Sequence, residues 1–148
     1  MRAVVQRVKS ASVSIEGRVR GEIEKGYMIL LGVEDVDTMT DMEYICDKIL
    51  ALRVFGDDQE KMNLDLCDIG GEILLISQFT LYGDARKGRR PSFIKAARPQ
   101  TAIPLYEAAV ARLGEKVRVA TGEFGAHMDV ALINDGPVTI LLDSRKAF

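Results

Sequence analysis

The chain has 148 residues, a mass of 16.3 kDa and a net charge of −2 at pH 7, with 47% apolar and 28% charged residues. These values predict one folded domain over residues 1–148 and argue against a disordered chain or a protein with a generally basic surface. The longest apolar run, residues 28–33, is far shorter than the ~20 residues of a transmembrane helix. No secretory signal opens the sequence, so we expect a cytoplasmic protein without a membrane segment.

Cysteine and histidine are too few for a disulfide framework or a zinc site. Cys46 and Cys67 are widely separated, and His127 is the one histidine of the chain. A structural zinc site needs four such ligands. We therefore expect two reduced, buried thiols and no bound metal.

The N-terminal third alternates apolar and polar residues, which is the pattern of half-buried β-strands. Strands are predicted over residues 2–8, 11–15, 18–23 and 27–33, all antiparallel, with a hairpin turn at residues 16–18. The fourth is apolar on both faces, which predicts a central strand.

Helical spacing replaces this alternation in two later segments. Apolar residues recur every three or four positions over about residues 39–53 and again over 102–113. The second helix has Pro99 and Pro104 in its first turns and Gly114 at its end.

The remaining segments predict further strands. A polar loop over residues 56–68 precedes a strand at 72–76, and three more strands are expected at 117–121, 128–133 and 138–142. Residues 134–137, Asn-Asp-Gly-Pro, are an ordinary turn sequence and predict a hairpin between the last two. The result is an α+β domain, a mostly antiparallel sheet with two main helices packed on it.

Polar residues follow the strand at 72–76 directly. Ser77, Gln78, Phe79 and Thr80 end a buried strand, where backbone N–H groups can turn toward a ligand. Ser77 and Thr80 are candidate nucleophiles, but no base stands beside them in the sequence, and His127 is more readily explained as a surface or structural residue. The pattern alone favours a strand that simply ends in a loop.

A basic segment lies six positions beyond Thr80. Arg86, Lys87, Arg89 and Arg90 place four cations in five residues of a slightly acidic chain. Arginine makes bidentate contacts with phosphate, so this segment is a candidate RNA contact, although charge runs are often only solvated surface.

Motifs spread over nearly the whole chain resemble the D-aminoacyl-tRNA deacylases of bacteria and eukaryotes, formerly called D-tyrosyl-tRNA deacylases. Two hallmark motifs are intact, Ser-Gln-x-Thr at residues 77–80 and Asn-x-Gly-Pro-Val-Thr at residues 134–139. Further matching segments are Val-Gln-Arg-Val at 5–8, Ala-Ser-Val at 11–13, Leu-Gly-Val at 31–33, Lys-Met-Asn-Leu at 61–64 and Arg-Pro-Ser-Phe at 90–93. Each motif is weak alone, but together they are specific.

The resemblance implies a homodimer with a barrel-like sheet that hydrolyses the ester between a D-amino acid and tRNA, and also removes glycine mischarged on tRNA. It implies that Ser77, Gln78, Phe79 and Thr80 form the catalytic segment, and that a cis Gly136–Pro137 enters the partner's site with help from Arg7. Backbone groups near Phe79 and Thr80 would act with the terminal 2′-hydroxyl of tRNA, without a cofactor. An older proposal for the family makes the threonine hydroxyl the nucleophile.

Two other functions remain open at this stage. The chain could be a noncatalytic RNA-binding module, in which both motifs are merely turns. It could also be a related editing deacylase with a different chirality preference. Hydrolysis of matched D- and L-aminoacyl-tRNA distinguishes the three.

Overall fold

The computed structural model describes residues 1–148. The two helices are α1 (Met39–Ala51) and α2 (Pro99–Gly114). A single 3₁₀ helix, named here the Phe79 turn, spans Phe79–Tyr82. The strands are β1 (Arg2–Ile15), β2 (Arg18–Ile23), β3 (Gly26–Gly32), β4 (Phe55–Gly56), β5 (Met62–Leu64), β6 (Glu72–Ser77), β7 (Val119–Thr121) and β8 (Asp129–Asp143).

Six of these strands form one sheet in the order β2-β1-β3-β6-β7, and β8 pairs with the other side of β1. The sheet curls until its ends meet, since a Cβ placed on Gly21 in β2 would lie 2.7 Å from the carbonyl oxygen of Thr121 in β7. The predicted α+β class and the barrel-like, mostly antiparallel sheet are confirmed.

Two strand pairs are parallel, which the sequence analysis did not anticipate. β3 pairs with β6, and β6 with β7, in parallel register. The chain returns to the start of the next strand through α1 and then through α2, as a parallel pair requires. The carboxyl ends of these strands therefore lie at one edge of the sheet.

The long strands β1 and β8 correct two predictions. Residues 2–15 form one strand, because both halves of β1 pair with β8. Residues 134–137 are not a hairpin turn, since β8 continues through them. Between the pairs Gln6–Thr139 and Val8–Asn134, β1 advances two residues and β8 five, so the extra residues of β8 bulge out beside Arg7.

Buried residues form two clusters on opposite faces of the sheet. The larger lies between the sheet and both helices and includes Tyr27, Ile29 and Leu75. The smaller fills the barrel and includes Met28 and Leu74. Because neighbouring strand residues point to opposite faces, β3 and β6 contribute to both clusters, which confirms the prediction of central strands.

Smaller differences concern lengths and the loop before β6. The first helix ends at Ala51 rather than at residue 53, and the predicted loop at 56–68 contains most of the β4–β5 hairpin. Cys46 is buried as expected, whereas Cys67 is exposed. Neither helix is long and apolar enough to cross a membrane.

Candidate active site

A cavity of about 270 Å³, the site cavity, opens where β3 and β6 end. Ser77 is the last residue of β6 and pairs with Leu31 in β3. The next residue, Gln78, donates its N–H to the carbonyl of Leu31 at 2.8 Å and is the last to follow the sheet. Ser77, Gln78 and Phe79 line the cavity, whereas Thr80, the last residue of the predicted segment, does not.

The Phe79 turn presents free backbone donors at this edge. The first hydrogen bond of the turn runs from the Leu81 N–H to the carbonyl of Gln78. Phe79 and Thr80 come before Leu81 in the chain, so their N–H groups have no partner within the turn. The turn also lies directly on β3, because a Cβ on Gly32 would be 3.0 Å from both the Gln78 oxygen and the Leu81 Cβ. Glycine at this position permits the close approach.

The side chains of the segment lack an acid–base partner. Thr80 is exposed, and its hydroxyl accepts a hydrogen bond from the amide of Gln78. An amide cannot remove the proton of a hydroxyl, and no titratable side chain forms a hydrogen bond with Ser77 or Thr80. The arrangement therefore suits positioning and oxyanion binding better than nucleophilic attack by a side chain.

Helix α2 forms an apolar wall of the cavity through Ala102 and Tyr106. The Tyr106 hydroxyl donates to the carbonyl of Leu75 in β6 at 2.8 Å. Burial raises the pKa of Tyr106 to about 12, so it remains a neutral donor at physiological pH. This hydrogen bond connects α2 to β6, the strand that leads into residues 77–80.

Residues 124–128 form a side of the cavity that the sequence analysis missed. Phe124, His127 and Met128 lie there, beyond the end of β7. His127 is exposed and makes no hydrogen bond, which agrees with a surface residue although it borders the cavity. Parallel strands present their carboxyl ends at a common edge, so recognition of β7 as parallel would have predicted this segment at the site.

The basic segment adjoins the site through an aromatic contact. Phe93 packs edge-on against Phe79, with ring centroids 5.2 Å apart. Backbone bonds between Asp84 and Ser92 close a loop that projects the cations. Arg86 is already paired with Asp84 at 2.6 Å, and its hydrogen bonds hold the pKa of Asp84 well below the usual range. The other three cations of this segment, Lys87, Arg89 and Arg90, are exposed and have no ion pair, since Arg86 alone of the four forms one.

The Gly136–Pro137 segment lies elsewhere in the chain. Its peptide bond is cis, as the resemblance implies. Arg7 donates to the carbonyl of Asp135 at 3.0 Å and also binds the carbonyl of Val54. The φ of Gly136 is +127°, and a Cβ there would lie 2.9 Å from an Arg7 nitrogen, so only glycine fits. Arg7 thus contacts the Gly136–Pro137 segment of its own chain. The resemblance had implied that Arg7 holds the Gly136–Pro137 segment of the partner.

One chain does not bring the two motifs together. Neither Gly136 nor Pro137 lines the site cavity. Arg7, beside the bulge, pairs with Tyr27, which is four residues before Leu31 in β3. At about 3.3 Å per residue and about 4.8 Å per strand, the bulge and Ser77 are roughly 20 Å apart.

A larger open groove, of about 600 Å³, lies between β1, β2 and β8. Its charged lining consists of Glu22, Glu24, Glu72 and Arg118, with Arg118 bound to Glu72 at 2.6 Å. The remaining carboxylates make it an unfavourable place for a phosphate backbone. No group of three or more histidine, cysteine, aspartate or glutamate side chains is arranged to hold a metal ion.

Comparisons with known proteins agree on one family. A family model described as D-Tyr-tRNA(Tyr) deacylase matches residues 4–143. The D-aminoacyl-tRNA deacylases of Clostridioides difficile (strain 630) and Thermosipho africanus (strain TCF52B) are 59% and 57% identical, over 100% of this chain and 100% of each relative.

Two solved structures share the fold. One, titled c-Myc DNA Unwinding Element Binding Protein, has a TM-score of 0.91 and 41% identity, over 97% of this chain and 98% of that chain. Another, described as a probable eukaryotic D-amino acid tRNA deacylase, has a TM-score of 0.80 at 16% identity, over 96% and 98%, and is evidence of fold alone. With the family model and the full-length relatives, the chain belongs to the D-aminoacyl-tRNA deacylase family.

Proposed function

We propose that the chain hydrolyses the ester bond of D-aminoacyl-tRNA in the site cavity, as a proofreading step of translation in the cytoplasm. The observation that carries this proposal is the pair of backbone N–H groups at Phe79 and Thr80, unpaired within their turn, beside an apolar cavity. An aminoacyl ester is already activated. Its hydrolysis requires a positioned water and donors for the tetrahedral oxyanion more than a strong nucleophile.

In this mechanism the Phe79 and Thr80 N–H groups stabilise the oxyanion, and the 2′-hydroxyl of the terminal ribose helps to orient water. Ser77 and Gln78 position the segment, and the Thr80 hydroxyl has no catalytic role as nucleophile. The hydrogen bond from Gln78 to Thr80 supports this assignment, since it fixes the hydroxyl without activating it. The products are the free amino acid and tRNA.

A homodimer completes the site. The separation of the Gly136 bulge from Ser77 supports this, because the bulge of one chain can reach only another chain's cavity. β8 pairs with β1 on one side alone, and its exposed residues include Ile133 and Leu141. A long apolar edge strand of this kind favours association, and a two-fold axis gives two equivalent sites. Light scattering after size exclusion is expected to give twice 16.3 kDa; a monomer mass at micromolar concentration contradicts the dimer.

Chirality is selected by exclusion at Gly136 and Pro137 of the partner. The position of Gly136 is fixed by Arg7, which gives the segment a defined shape. Backbone carbonyls there accept from the substrate's α-amino group, and the segment fills the space that an L-side chain needs. D-amino acids of many sizes and glycine then pass.

Single-turnover hydrolysis of matched D-, L- and glycyl-tRNA tests this mechanism. We expect the D-aminoacyl and glycyl esters to be cleaved and the L-ester to persist. Equal cleavage of L- and D-esters would indicate the alternative editing specificity. Inert glycyl-tRNA beside reactive, bulky D-substrates would also contradict exclusion.

The loop that carries the basic segment, residues 86–90, is called the basic loop here and binds tRNA phosphates next to the site. The support is its position, since Phe93 at its base packs on Phe79. A noncatalytic RNA-binding module is the competing function, and one structural relative, titled c-Myc DNA Unwinding Element Binding Protein, is named for binding a nucleic acid. Binding without any hydrolysis of D-aminoacyl-tRNA would favour the module over the enzyme.

A further inference from the structure

Arg2 contacts the far end of the Phe79 turn. Arg2 lies at the start of β1, where it pairs with Gly32 of β3, directly beside the place where the turn rests on the sheet. From there its Nη1 donates to the carbonyl of Leu81 at 3.2 Å. The guanidinium carbon also lies 4.7 Å from the centre of the Tyr82 ring, within the range of a cation–π contact.

A third contact fixes the guanidinium itself. Arg2 Nε donates to Asp143 Oδ2 at 3.4 Å, and the Asp143 side chain is only 3% exposed at the end of β8. Asp143 also accepts from the Arg145 N–H at 2.9 Å. Different parts of one planar group thus contact Asp143 of β8, the Leu81 carbonyl and the face of the Tyr82 ring, which an ammonium group cannot do simultaneously.

We propose that Arg2 is a positioning residue for hydrolysis. It fixes the carboxyl end of the Phe79 turn, while Gly32 sets how closely the turn lies on β3. The turn has only four residues, so a movement at Leu81 and Tyr82 displaces the N–H groups of Phe79 and Thr80. This inference rests on the proposed function, because it requires those groups to stabilise the oxyanion.

The effect of Arg2 should fall on the chemical step and not on tRNA binding. Arg2 lies outside the basic loop and does not line the site cavity. A misplacement of about 1 Å can reduce a rate about 100-fold, and a partly released turn should reduce it about 10-fold. The oxyanion is absent from the bound ester and develops only during the chemical step, so the half-saturating enzyme concentration should change by less than about twofold.

The principal test compares Arg2→Met with Arg20→Met in single-turnover hydrolysis of D-aminoacyl-tRNA. Arg20 is a matched control, since it also lies on a strand and pairs with a carboxylate, Glu123 at 3.3 Å. Arg2→Met is expected to lower the saturating rate constant about 10-fold, with Arg20→Met unchanged. An unchanged rate constant in Arg2→Met overturns the proposal. A change in the half-saturating enzyme concentration alone, with the saturating rate constant intact, overturns it as well.

Chemical rescue separates positioning from general damage to the fold. The Arg2 side chain is 34% exposed, so Arg2→Ala opens its place to solvent. Millimolar guanidinium is expected to restore much of the rate of Arg2→Ala, whereas methylammonium is not, because only the planar ion reproduces the stacked contact. Equal failure of both ions, with the protein folded, contradicts the proposal.

Gly32→Ala distinguishes failure of this inference from failure of the proposed function. If Gly32→Ala loses rate and Arg2→Met does not, the turn is catalytic but Arg2 does not position it. If both folded variants keep the wild-type rate, the backbone of the turn is not the catalytic group. Loss in both, with guanidinium rescue of Arg2→Ala, supports the whole scheme.

Discussion

Gly32→Ala tests the Phe79 turn without replacing any of its own residues. The new Cβ would lie 3.0 Å from the Gln78 oxygen, 3.0 Å from Leu81 Cβ and 3.4 Å from Leu81 Cδ1. The first two distances are too short for ordinary contact, so the Phe79 turn must move off β3 by a few tenths of an ångström. Such a shift, scaled from about 100-fold per ångström, lowers the rate constant about 3- to 10-fold.

The same crowding has a stability cost that can be measured separately. Overpacking costs about 1–3 kcal/mol, and the smaller conformational entropy of unfolded alanine offsets about 0.4–1 kcal/mol of it. For a chain of this size the melting temperature should fall by about 2–8 °C. The protein then remains folded at 25 °C, because a domain has about 5–15 kcal/mol of stability.

The assay is single-turnover hydrolysis of D-aminoacyl-tRNA at saturating enzyme, with thermal unfolding in parallel. Gly114→Ala is the matched control, because no atom lies within 4 Å of its added Cβ and Gly114 ends a helix. It should keep the wild-type rate and stability or gain slightly. A folded Gly32→Ala with the wild-type rate constant would refute catalysis by the backbone of the turn.

Three further changes test other parts of the site. Thr80→Ala should keep its rate within about 10-fold, and a loss near 10⁴-fold with the fold and tRNA binding intact would instead support a nucleophilic hydroxyl. Tyr82→Phe removes a buried hydroxyl without a hydrogen-bond partner, so urea unfolding should show unchanged or up to about 1 kcal/mol greater stability; a clear loss would mean that the hydroxyl has a partner. Glutamine substitutions in the basic loop should weaken tRNA binding and lower its salt slope by about 1 per lost phosphate contact, while hydrolysis of aminoacyl-adenosine persists; an unchanged slope would show that the loop does not touch RNA. Arg86 should contribute least to tRNA binding among Arg86, Lys87, Arg89 and Arg90, because it already pairs with Asp84.

Periodicity located both helices and most strands, because burial of one face is a local property of a segment. The spacing of residues 102–113 predicted α2, and the uninterrupted apolar residues of β3 predicted a strand buried on both faces. The change from apolar to polar residues at 77–80 likewise predicted the end of a buried strand, and β6 ends at Ser77. The role of these residues as a site came from the family resemblance and stays a prediction. Each prediction depended only on neighbours along the chain.

The errors arose where distant segments pair. Residues 134–137 have a turn sequence, yet β1 lies opposite both flanks and keeps β8 extended through the bulge. Cys67 was expected to be buried because of its residue type, but it lies in the exposed connection before β6. In both places the position of the residues in the folded chain outweighed a local preference.

The sequence by itself therefore determined most of the elements, the α+β class and the two motifs, since these depend on residue type and local spacing. Only the tertiary structure decided which strands are parallel, and with that which residues share the site cavity. It brought residues 124–128 to Ser77 and set Arg2 against the Phe79 turn. It also left Gly136 roughly 20 Å from Ser77 of its own chain, which is why Gly136 is proposed to serve the partner's site. The physical reason is that register, curvature and strand order follow from hydrogen bonding between segments far apart in the chain, which no local pattern records.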